Sequence, residues 1–385
     1  MDQSFKPTIV KDLDVWELFK IKKESIYCIG SKSLDRYIEV KNNKDFIYNF
    51  CKILNGKYTI QQLIEVYKKK NNSFDVEKMI DILIRSGLIV NVENKYVEKS
   101  EMDKLSCTFF EVNLEKKSNF FKKACKIIFP YVFCLTIIMN IIAIFYCIIN
   151  YKIFFNLNIY EMRNSYDFSI IIIAIALSIC LMLHETSHGI VAYKYGLKPQ
   201  KAVFSLYLMV SLMAYLKIPG IYTLKPKKRI LVWSAGMYTN LCLASIFMLL
   251  YFFTNFNGNE IFYTIGFTNL ICITMSLSPF MPTDGYFIMT TILKSPNMRK
   301  DITSGKLKII DKNNLIKSIY LIFTVIIMST LLVTQFKFVI QSVVDAYKCN
   351  IGIWNFIIRI KIFILIILMV IIKSVLKYKK KKVAT

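Results

Sequence analysis

The sequence predicts a polytopic α-helical membrane protein with about six transmembrane helices and a small cytoplasmic α+β domain at its N-terminus. Three observations lead to this fold class. Of the 385 residues, 55% are hydrophobic, a larger share than most soluble domains contain. Many of them stand in blocks that approach the ~20 residues a helix needs to cross a bilayer. The loops between the blocks alternate between strongly and weakly basic.

Six apolar blocks are predicted to form the transmembrane helices of a membrane domain over residues 127–376. The fourth block is longer than one span and is interrupted by Pro279 and Pro282. The sixth contains Arg359 and Lys361 near one end. The predicted spans are approximately 127–149, 168–193, 230–253, 261–293, 314–335 and 353–376.

The charges of the loops predict the orientation of these spans. Residues 194–229 contain eight basic and no acidic residues, and residues 294–317 contain seven basic and two acidic residues. The alternate loops contain two, none and two basic residues. Because basic loops stay in the cytoplasm, we expect six spans with both termini, including the basic tail 377–385, on the cytoplasmic side of the cell membrane. The net charge of +25 then faces anionic lipid rather than nucleic acid, which is not an expected partner.

One further apolar segment, 203–216, is too short for a comfortable span and is rich in residues that favour strands. A seventh span there would reverse every later loop and break the charge alternation. We therefore expect a hairpin that lies at the membrane surface or re-enters it.

Residues 1–105 read as a separate soluble domain that starts without a cleavable signal peptide, because the N-terminus is polar. Strands are predicted at 25–29 and 36–40, three amphipathic helices follow, and 88–97 suggests a small hairpin. This order predicts a winged-helix-like domain, although any small helical domain would fit the pattern. Residues 106–126 are expected to be a linker.

The three helices of this domain have recognisable ends. Thr59 and Gln62 form a capping-box pattern at the start of the second helix, and the third is expected to stop near Gly87. Apolar residues at helical spacing define one buried face on each helix. These residues are Phe46, Phe50, Ile53 and Leu54, then Ile60, Leu63, Ile64 and Tyr67, then Val76, Met79, Ile80 and Leu83.

The sequence HETSH, in the second predicted span, places two histidines where hydrocarbon is expected. His184 and His188 are the two histidines of the whole chain. Four residues apart on a helix, they share a face and can bind one metal ion, while Glu185 can reach water at that metal. A polar helix face near the membrane boundary is the simpler alternative. The spacing and the adjacent glutamate favour a metal site.

A catalytic zinc site needs a third protein ligand and one open position. Asp284, in SLSPFMPTDGYF, is the best candidate because it follows a proline-broken stretch whose backbone can turn a side chain inward. His184 and Asp284 each precede a lysine by ten residues, which places both ~15 Å from the cytoplasmic boundary if the chain is helical. A helix N-cap is the alternative role for Asp284. Cys180, one turn before His184, is a weaker ligand candidate that we expect to pack.

These residues resemble the site-2 protease family of intramembrane zinc metalloproteases. In that family H-E-x-x-H is completed by an aspartate in P-x-x-P-x-D-G, which Pro279, Pro282, Asp284 and Gly285 match. The family typically has asparagine at the start of this stretch, where this chain has Ser276.

A third family segment, A-G-P-x-x-N, is matched by AGMYTN at Ala235, Gly236 and Asn240, with Met237 in place of the proline. The resemblance covers roughly residues 125–295. It implies Zn²⁺ as the cofactor, although iron or cobalt would suit the same ligands. It also implies that Glu185 is the catalytic base and that Asn240 helps to hold the substrate carbonyl. An interhelical hydrogen bond is the alternative role for Asn240.

The N-terminal region is similar to leader-peptide recognition domains of enzymes that process ribosomally made peptides, in phrases such as ILNGKYTIQQLIEVY and MIDILIRSGLIV. The whole arrangement resembles the peptide zinc metalloproteases of bacteriocin systems. It implies a metalloendopeptidase that cleaves a peptide precursor or a membrane-associated peptide. Two alternatives stay open: a site-2-type protease acting on a membrane-anchored regulator, and a non-catalytic export or immunity component with a structural metal. The sequence does not indicate the oligomeric state.

Overall fold

The structure is a computed structural model with an N-terminal α+β unit docked onto a helical unit. The helical unit carries a second small sheet. The residues that it describes are 3–21, 24–41, 43–70, 74–92, 106–156, 166–207, 211–255, 257–278, 283–295, 298, 315–348 and 368.

The N-terminal unit begins with a three-stranded antiparallel sheet in the order β1-β2-β3. The strands are β1 Leu13–Ile21, β2 Glu24–Ser31 and β3 Arg36–Lys41. β2 and β3 confirm the two strands predicted at 25–29 and 36–40. β1 was missed, although LDVWELFKI contains the strand-forming residues that a strand of this kind requires.

Three helices follow the sheet: α1 Lys44–Ile53, α2 Ile60–Lys70 and α3 Val76–Arg85. The predicted capping box is confirmed, because Gln62 accepts a hydrogen bond from the Thr59 backbone N–H and Thr59 Oγ1 accepts one from the Gln62 N–H. Asp75 caps α3 by accepting from the Lys78 N–H at 2.9 Å. The chain leaves α3 through Gly87, whose φ of 69° is the left-handed conformation that glycine adopts most readily.

Both faces of the N-terminal sheet are apolar. Ile29, Ile38 and Val40 face the three helices and belong to the main core of the unit. Ile26 and Cys28 lie on the opposite face, in a smaller cluster that packs against the helical unit. The period-two alternation of a strand therefore lets one sheet cover two different partners.

The first half of the hairpin predicted at 88–97 pairs with the N-terminal chain, and whether it also pairs with 93–97 stays a prediction. Ile89 pairs with Ile9, and the Val90 N–H donates to the Thr8 carbonyl at 2.7 Å. The segment thus pairs with the N-terminal chain over residues 8–10. Residues 93–97 lie outside the described part of the chain.

The helical unit contains several apolar helices. A π-helical turn, Ile128–Val132, joins the first two of them. The helices are α4 Ser118–Ile127, α5 Phe133–Ile149, α6 Ile153–Asn156, α7 Tyr166–Lys194, α8 Pro226–Phe253, α9 Glu260–Ser276, α10 Asp284–Ile292 and α11 Leu315–Lys348.

Within the described residues, two helices are long and apolar enough to cross a membrane: Phe168–Lys194 within α7 and Pro226–Phe253, which is α8. The apolar segments Phe133–Ile149 and Leu315–Thr330 are shorter. The fourth predicted span, 261–293, divides into α9 and α10. The sixth, 353–376, lies outside the description except for one residue, so the number of six spans stays a prediction.

Residues 106–126, expected to be a linker, instead form a strand and a helix. The strand β4 Ser106–Asn113 joins β5 Lys201–Tyr207 and β6 Ser211–Lys217 in an antiparallel sheet ordered β4-β5-β6. The hairpin predicted at 203–216 is confirmed as β5 and β6. The prediction missed β4 because its partner β5 lies far along the chain, and local patterns do not report such pairing.

Helix α8 lies at the centre of the helical unit and contacts α5, α7, α9 and α10. Polar pairs join it to α5: Thr136 and Tyr238 share a hydrogen bond of 2.6 Å, and the Asn140 amide donates to the Cys242 thiol. Such pairs bind helices together where apolar surroundings offer no other partner.

The N-terminal unit docks on the segment between β6 and α8 and on the end of α10. Arg229 donates to the Leu18 carbonyl, and Lys294 Nζ donates to the Lys20 carbonyl at 2.6 Å. Both carbonyls belong to β1, an edge strand of the sheet, so two cations contact this strand. Asp35, in the turn between β2 and β3, accepts from the Gly220 N–H at 3.0 Å.

Asp35 makes this docking sensitive to pH. Burial raises the pKa of its carboxyl, against the hydrogen bond from Gly220, which lowers it. A raised folded pKa means that the stabilisation is fully present below the unfolded pKa and is lost as pH rises through the folded pKa. We predict that Asp35→Asn, which keeps an acceptor oxygen and tolerates the left-handed φ of 52°, is more stable than wild type at about pH 7. The advantage should shrink toward about pH 4.

The measurement is the thermal unfolding midpoint in detergent across this range. Asp14→Asn, at an exposed aspartate of β1, is the control and should show no such convergence. A loss of stability in Asp35→Asn that is equal at every pH would contradict the prediction.

Candidate metal centre

Helix α7 positions His184, Glu185 and His188 in the interior of the helical unit. The exposed fractions of the two histidines are 8% and 6%, and their ring centroids lie 4.9 Å apart. Ligand atoms of all three residues lie within 4.8 Å of one another. One turn of helix therefore places two imidazoles and a carboxylate around a common point.

Asp284 approaches the same point from α10, of which it is the first residue. Its Oδ2 atom lies 2.8 Å from His184 Nε2 and 3.1 Å from His188 Nε2. The structure thus brings together the three residues proposed from the sequence as metal ligands. Thr283, rather than Asp284, occupies the N-cap position.

A hydrogen bond joins the end of α9 to the residue just before Asp284. Thr283 Oγ1 donates to the Ser276 carbonyl at 2.6 Å. A Cβ atom at Gly285 would lie 2.4 Å from the same carbonyl oxygen, so only glycine fits there. Ser276, which replaces the asparagine typical of the resemblance, serves here through its backbone. Pro279 and Pro282 lie outside the described residues.

Helix α8 closes the centre from a third side. The Val232 carbonyl lies 2.7 Å from His188 Nδ1, so this nitrogen carries the proton and Nε2 faces the aspartate. A Cβ atom at Gly236 would lie 2.3 Å from His184 Nε2 and 2.5 Å from His188 Nε2. Gly236 therefore leaves the space in which the ligand atoms converge.

The carboxylate of Glu185 is held by the second sheet. Its Oε2 accepts a hydrogen bond from the Leu216 N–H of β6 at 2.8 Å. Its Oε1 lies 4.0 Å from His184 Nε2. The glutamate thus stands beside the ligand group and is oriented by backbone.

Two other candidates occupy different positions. Asn240 is buried, with an exposed fraction of 3%, and lies one turn beyond Gly236 on the same face of α8. Its side chain takes part in none of the hydrogen bonds found among the described residues, which gives no support to the interhelical alternative. The Cys180 thiol accepts a hydrogen bond from the Asn269 amide at 3.2 Å, so the cysteine side chain packs against α9.

The sequence profile of peptidase family M50 matches residues 172–364. The match covers just over half of the chain and includes every residue of this centre. The chain belongs to peptidase family M50. This is the family of site-2 proteases, which are membrane zinc metalloproteases, and zinc is the metal of this centre.

A zinc metalloprotease from Methanocaldococcus jannaschii is 30% identical to this M50 peptidase over 134 residues. The alignment covers 34% of this chain and 37% of the relative. The chain therefore corresponds to about a third of that protein's length. No solved structure matches the chain.

The donor set of this M50 peptidase fits zinc. Two imidazole nitrogens and one carboxylate oxygen are a usual set for catalytic zinc and leave a further position for water or substrate. The Val232 carbonyl fixes the tautomer of His188, as outer partners of zinc-binding histidines commonly do.

Sequence patterns did not reveal several groups that build the site. The Val232 carbonyl and the Leu216 N–H are backbone groups, which no residue pattern marks. Gly236 was noticed through the family resemblance, but its role depends on the distance between α7 and α8. That distance is known only from the folded structure.

We predict that Gly236→Ala greatly reduces zinc binding, because the added methyl would overlap the two Nε2 atoms. Gly266→Ala in α9 is the matched control, since its nearest contact would be 3.1 Å, to the flexible Met248 side chain. The measurement is zinc content per chain in the purified proteins. Equal zinc in Gly236→Ala and wild type would show that α8 does not border the metal.

Proposed function

We propose that this M50 peptidase is a membrane-embedded zinc endopeptidase that cleaves a peptide precursor or membrane-associated peptide in the maturation of a bacteriocin-like peptide. His184, His188 and Asp284 hold the zinc, Glu185 is the catalytic base and Asn240 assists. The observation that carries the proposal is that Asp284 Oδ2 lies 2.8 Å from His184 Nε2 and 3.1 Å from His188 Nε2, with Glu185 adjacent.

The residues of the chain divide the chemistry among them. When bound, zinc supplies Lewis acidity, which polarises a carbonyl and makes water a better nucleophile. Glu185 accepts the proton of the attacking water and then donates it to the departing amine. The Leu216 N–H keeps the carboxylate aimed at this position. Asn240, one turn away on α8, supplies an amide that can donate to the substrate carbonyl.

Strand β6 offers a place for an extended substrate. It is an edge strand of the β4-β5-β6 sheet, and the Leu216 N–H leaves that edge to reach Glu185. Since alternate residues direct their backbone groups to the same edge, Ala214 faces it too. A peptide paired with Ala214 would present its next peptide bond to Glu185. Extension matters because helical amides are shielded from hydrolysis.

The N-terminal unit supports recognition of a peptide. We propose a winged-helix-like leader-binding domain, in which a peptide adds to the sheet as a further strand. The β1 edge is covered by Arg229 and Lys294, whereas β3 is the other edge strand. The bond from Gly220 to Asp35 brings the start of β3 beside the segment that follows β6. A peptide on β3 is thus close to the metal centre.

The docking also supports the proposed topology of six spans with both termini in the cytoplasm. The N-terminal unit rests on Gly220, Tyr222 and Arg229, all within the strongly basic loop 194–229. Basic loops face the cytoplasm, so the N-terminal unit lies on the cytoplasmic side in this topology. This arrangement favours a peptide precursor over a membrane-anchored regulator as the substrate. The adjacent Glu185 favours catalysis over a structural metal.

We predict that Glu185→Gln lowers turnover by about 100- to 10,000-fold, the usual contribution of a general base, while zinc content is unchanged. Glutamine keeps an oxygen that can accept from Leu216, so the local structure is preserved. Peptide cleavage and bound zinc are both measured. Glu111→Gln, on β4 of the adjoining sheet, is the control and should retain activity. Cleavage at the wild-type rate in Glu185→Gln would refute the catalytic proposal.

We further predict that a photoreactive amino acid at Glu39, exposed on β3, captures the precursor peptide in the full-length Glu185→Gln protein. The same group at Lys20, on the covered edge strand β1, should capture little. The readout is crosslinked product by mass spectrometry, with peptides of genes neighbouring this one as probes. Equal capture at both positions would argue against pairing with β3.

A further inference from the structure

A continuous line of aromatic rings runs from the N-terminal sheet to α10, the helix that begins with Asp284. Neighbouring ring centroids along it lie 5.8, 5.6, 6.2 and 5.3 Å apart. We name this line the aromatic bridge. Its members are, in order, Trp16, Tyr37, Tyr222, Trp233 and Phe287.

The outer half of the aromatic bridge belongs to the docking interface. Trp16 and Tyr37 stand on the sheet face that turns away from the three helices. Tyr222 comes from the short turn Ile221–Thr223 of the helical unit and packs into the same cluster. The Tyr222 carbonyl is also within reach of the Cys28 thiol, at 3.9 Å. Tyr222 is therefore the point where one unit enters the other.

The inner half of the aromatic bridge joins α8, whose backbone contacts His188, to α10, which begins with Asp284. Trp233 directly follows Val232, whose carbonyl holds His188 Nδ1 at 2.7 Å. The Trp233 ring stacks on Phe287 at an interplanar angle of 26°. Phe287 lies three residues after Asp284, in the first turn of α10. One buried indole thus lies between the helix whose backbone contacts His188 and the helix that carries Asp284.

Aromatic rings suit this role because they are large and have few rotatable bonds, and packed interiors transmit displacement rather than absorb it. Metal ligands tolerate little displacement, since mutation of the outer groups that orient them commonly lowers metal affinity or activity about 10- to 100-fold. If Tyr222 shifts, Trp233 loses its outer support. The Val232 carbonyl and α10 are then held less firmly.

We propose that Tyr222 and Trp233 are positioning residues of the zinc centre, and that docking of the N-terminal unit on Tyr222 keeps them in place. One consequence rests on the proposed function: turnover should depend on the docked N-terminal unit. The structural part of the inference, the link from the docking interface to the ligands, concerns metal binding alone. The proposal makes the N-terminal unit part of the support of the metal centre as well as a binding module.

The test compares Tyr222→Leu with Tyr222→Phe in the full-length protein. Leucine removes the ring but stays apolar, whereas phenylalanine keeps the ring. We expect Tyr222→Leu to lose zinc to a competing chelator about 10- to 100-fold more readily and to show an altered cobalt(II) absorption spectrum. With a short peptide that spans only the scissile bond, kcat should fall about tenfold or more while KM changes less than twofold. Tyr222→Phe should restore all of these values.

Tyr251→Leu is the matched control, because it removes a ring that packs on Tyr263 at the other end of α8. Its zinc affinity and cobalt spectrum should equal those of wild type. Tyr37→Leu changes the bridge from the N-terminal side alone and should weaken zinc retention in the same direction. If Tyr222→Leu fails to fold, as judged by its thermal midpoint, Tyr37→Leu decides the question.

Wild-type zinc affinity and an unchanged cobalt spectrum in the folded ring-deletion variants would overturn the proposal. These metal readouts need no turnover, so they distinguish its failure from that of the proposed protease function. A wild-type protein that binds zinc but cleaves no peptide would remove the proposed function alone. An equal loss of zinc in Tyr251→Leu would reduce the bridge to general packing and would also overturn it.

Discussion

The metal centre depends on one constraint. Three polar side chains are buried in an apolar helical bundle and have to serve as one another's polar partners. A charged side chain in apolar surroundings is costly unless it is paired. Here Asp284 is compensated by contact with His184 and His188. The surrounding features serve the same convergence. Gly236 leaves the space for it, and the Thr283–Ser276 bond sets where α10 begins.

Several backbone contacts around the site satisfy polar groups at the edges of the two sheets. An unpaired strand edge exposes donors and acceptors that need partners. In the N-terminal sheet, Arg229 and Lys294 satisfy carbonyls of β1, and this contact also docks the unit. In the second sheet, the Leu216 N–H is satisfied by Glu185. The same rule that stabilises both sheets therefore joins the N-terminal unit to the helical unit and orients the Glu185 carboxylate. β3 and β6 are edge strands of their sheets.

Prediction from sequence succeeded where the signal was local. The capping box at Thr59, the helix that stops near Gly87 and the β5–β6 hairpin depend on residues close together in the chain, and the structure confirms each. The linker prediction failed because of pairing between distant segments. Residues 106–126 are not a linker, because β4 pairs with β5 about 90 residues later. Such pairings leave no local pattern, since each partner is defined only when the chain has folded.

The sequence by itself determined the chemistry of the protein: two histidines four residues apart beside a glutamate, one aspartate after a proline-broken stretch, and apolar blocks that surround them. Helical periodicity is enough to place His184 and His188 on one face. Only the tertiary structure decided which backbone groups orient them, how closely α8 approaches through Gly236, and that aromatic rings form a series of contacts from the N-terminal sheet to Phe287 of α10. The physical reason is that these features are distances between separate helices and sheets. Such distances are set by the packing of the whole molecule, which no short stretch of residues encodes.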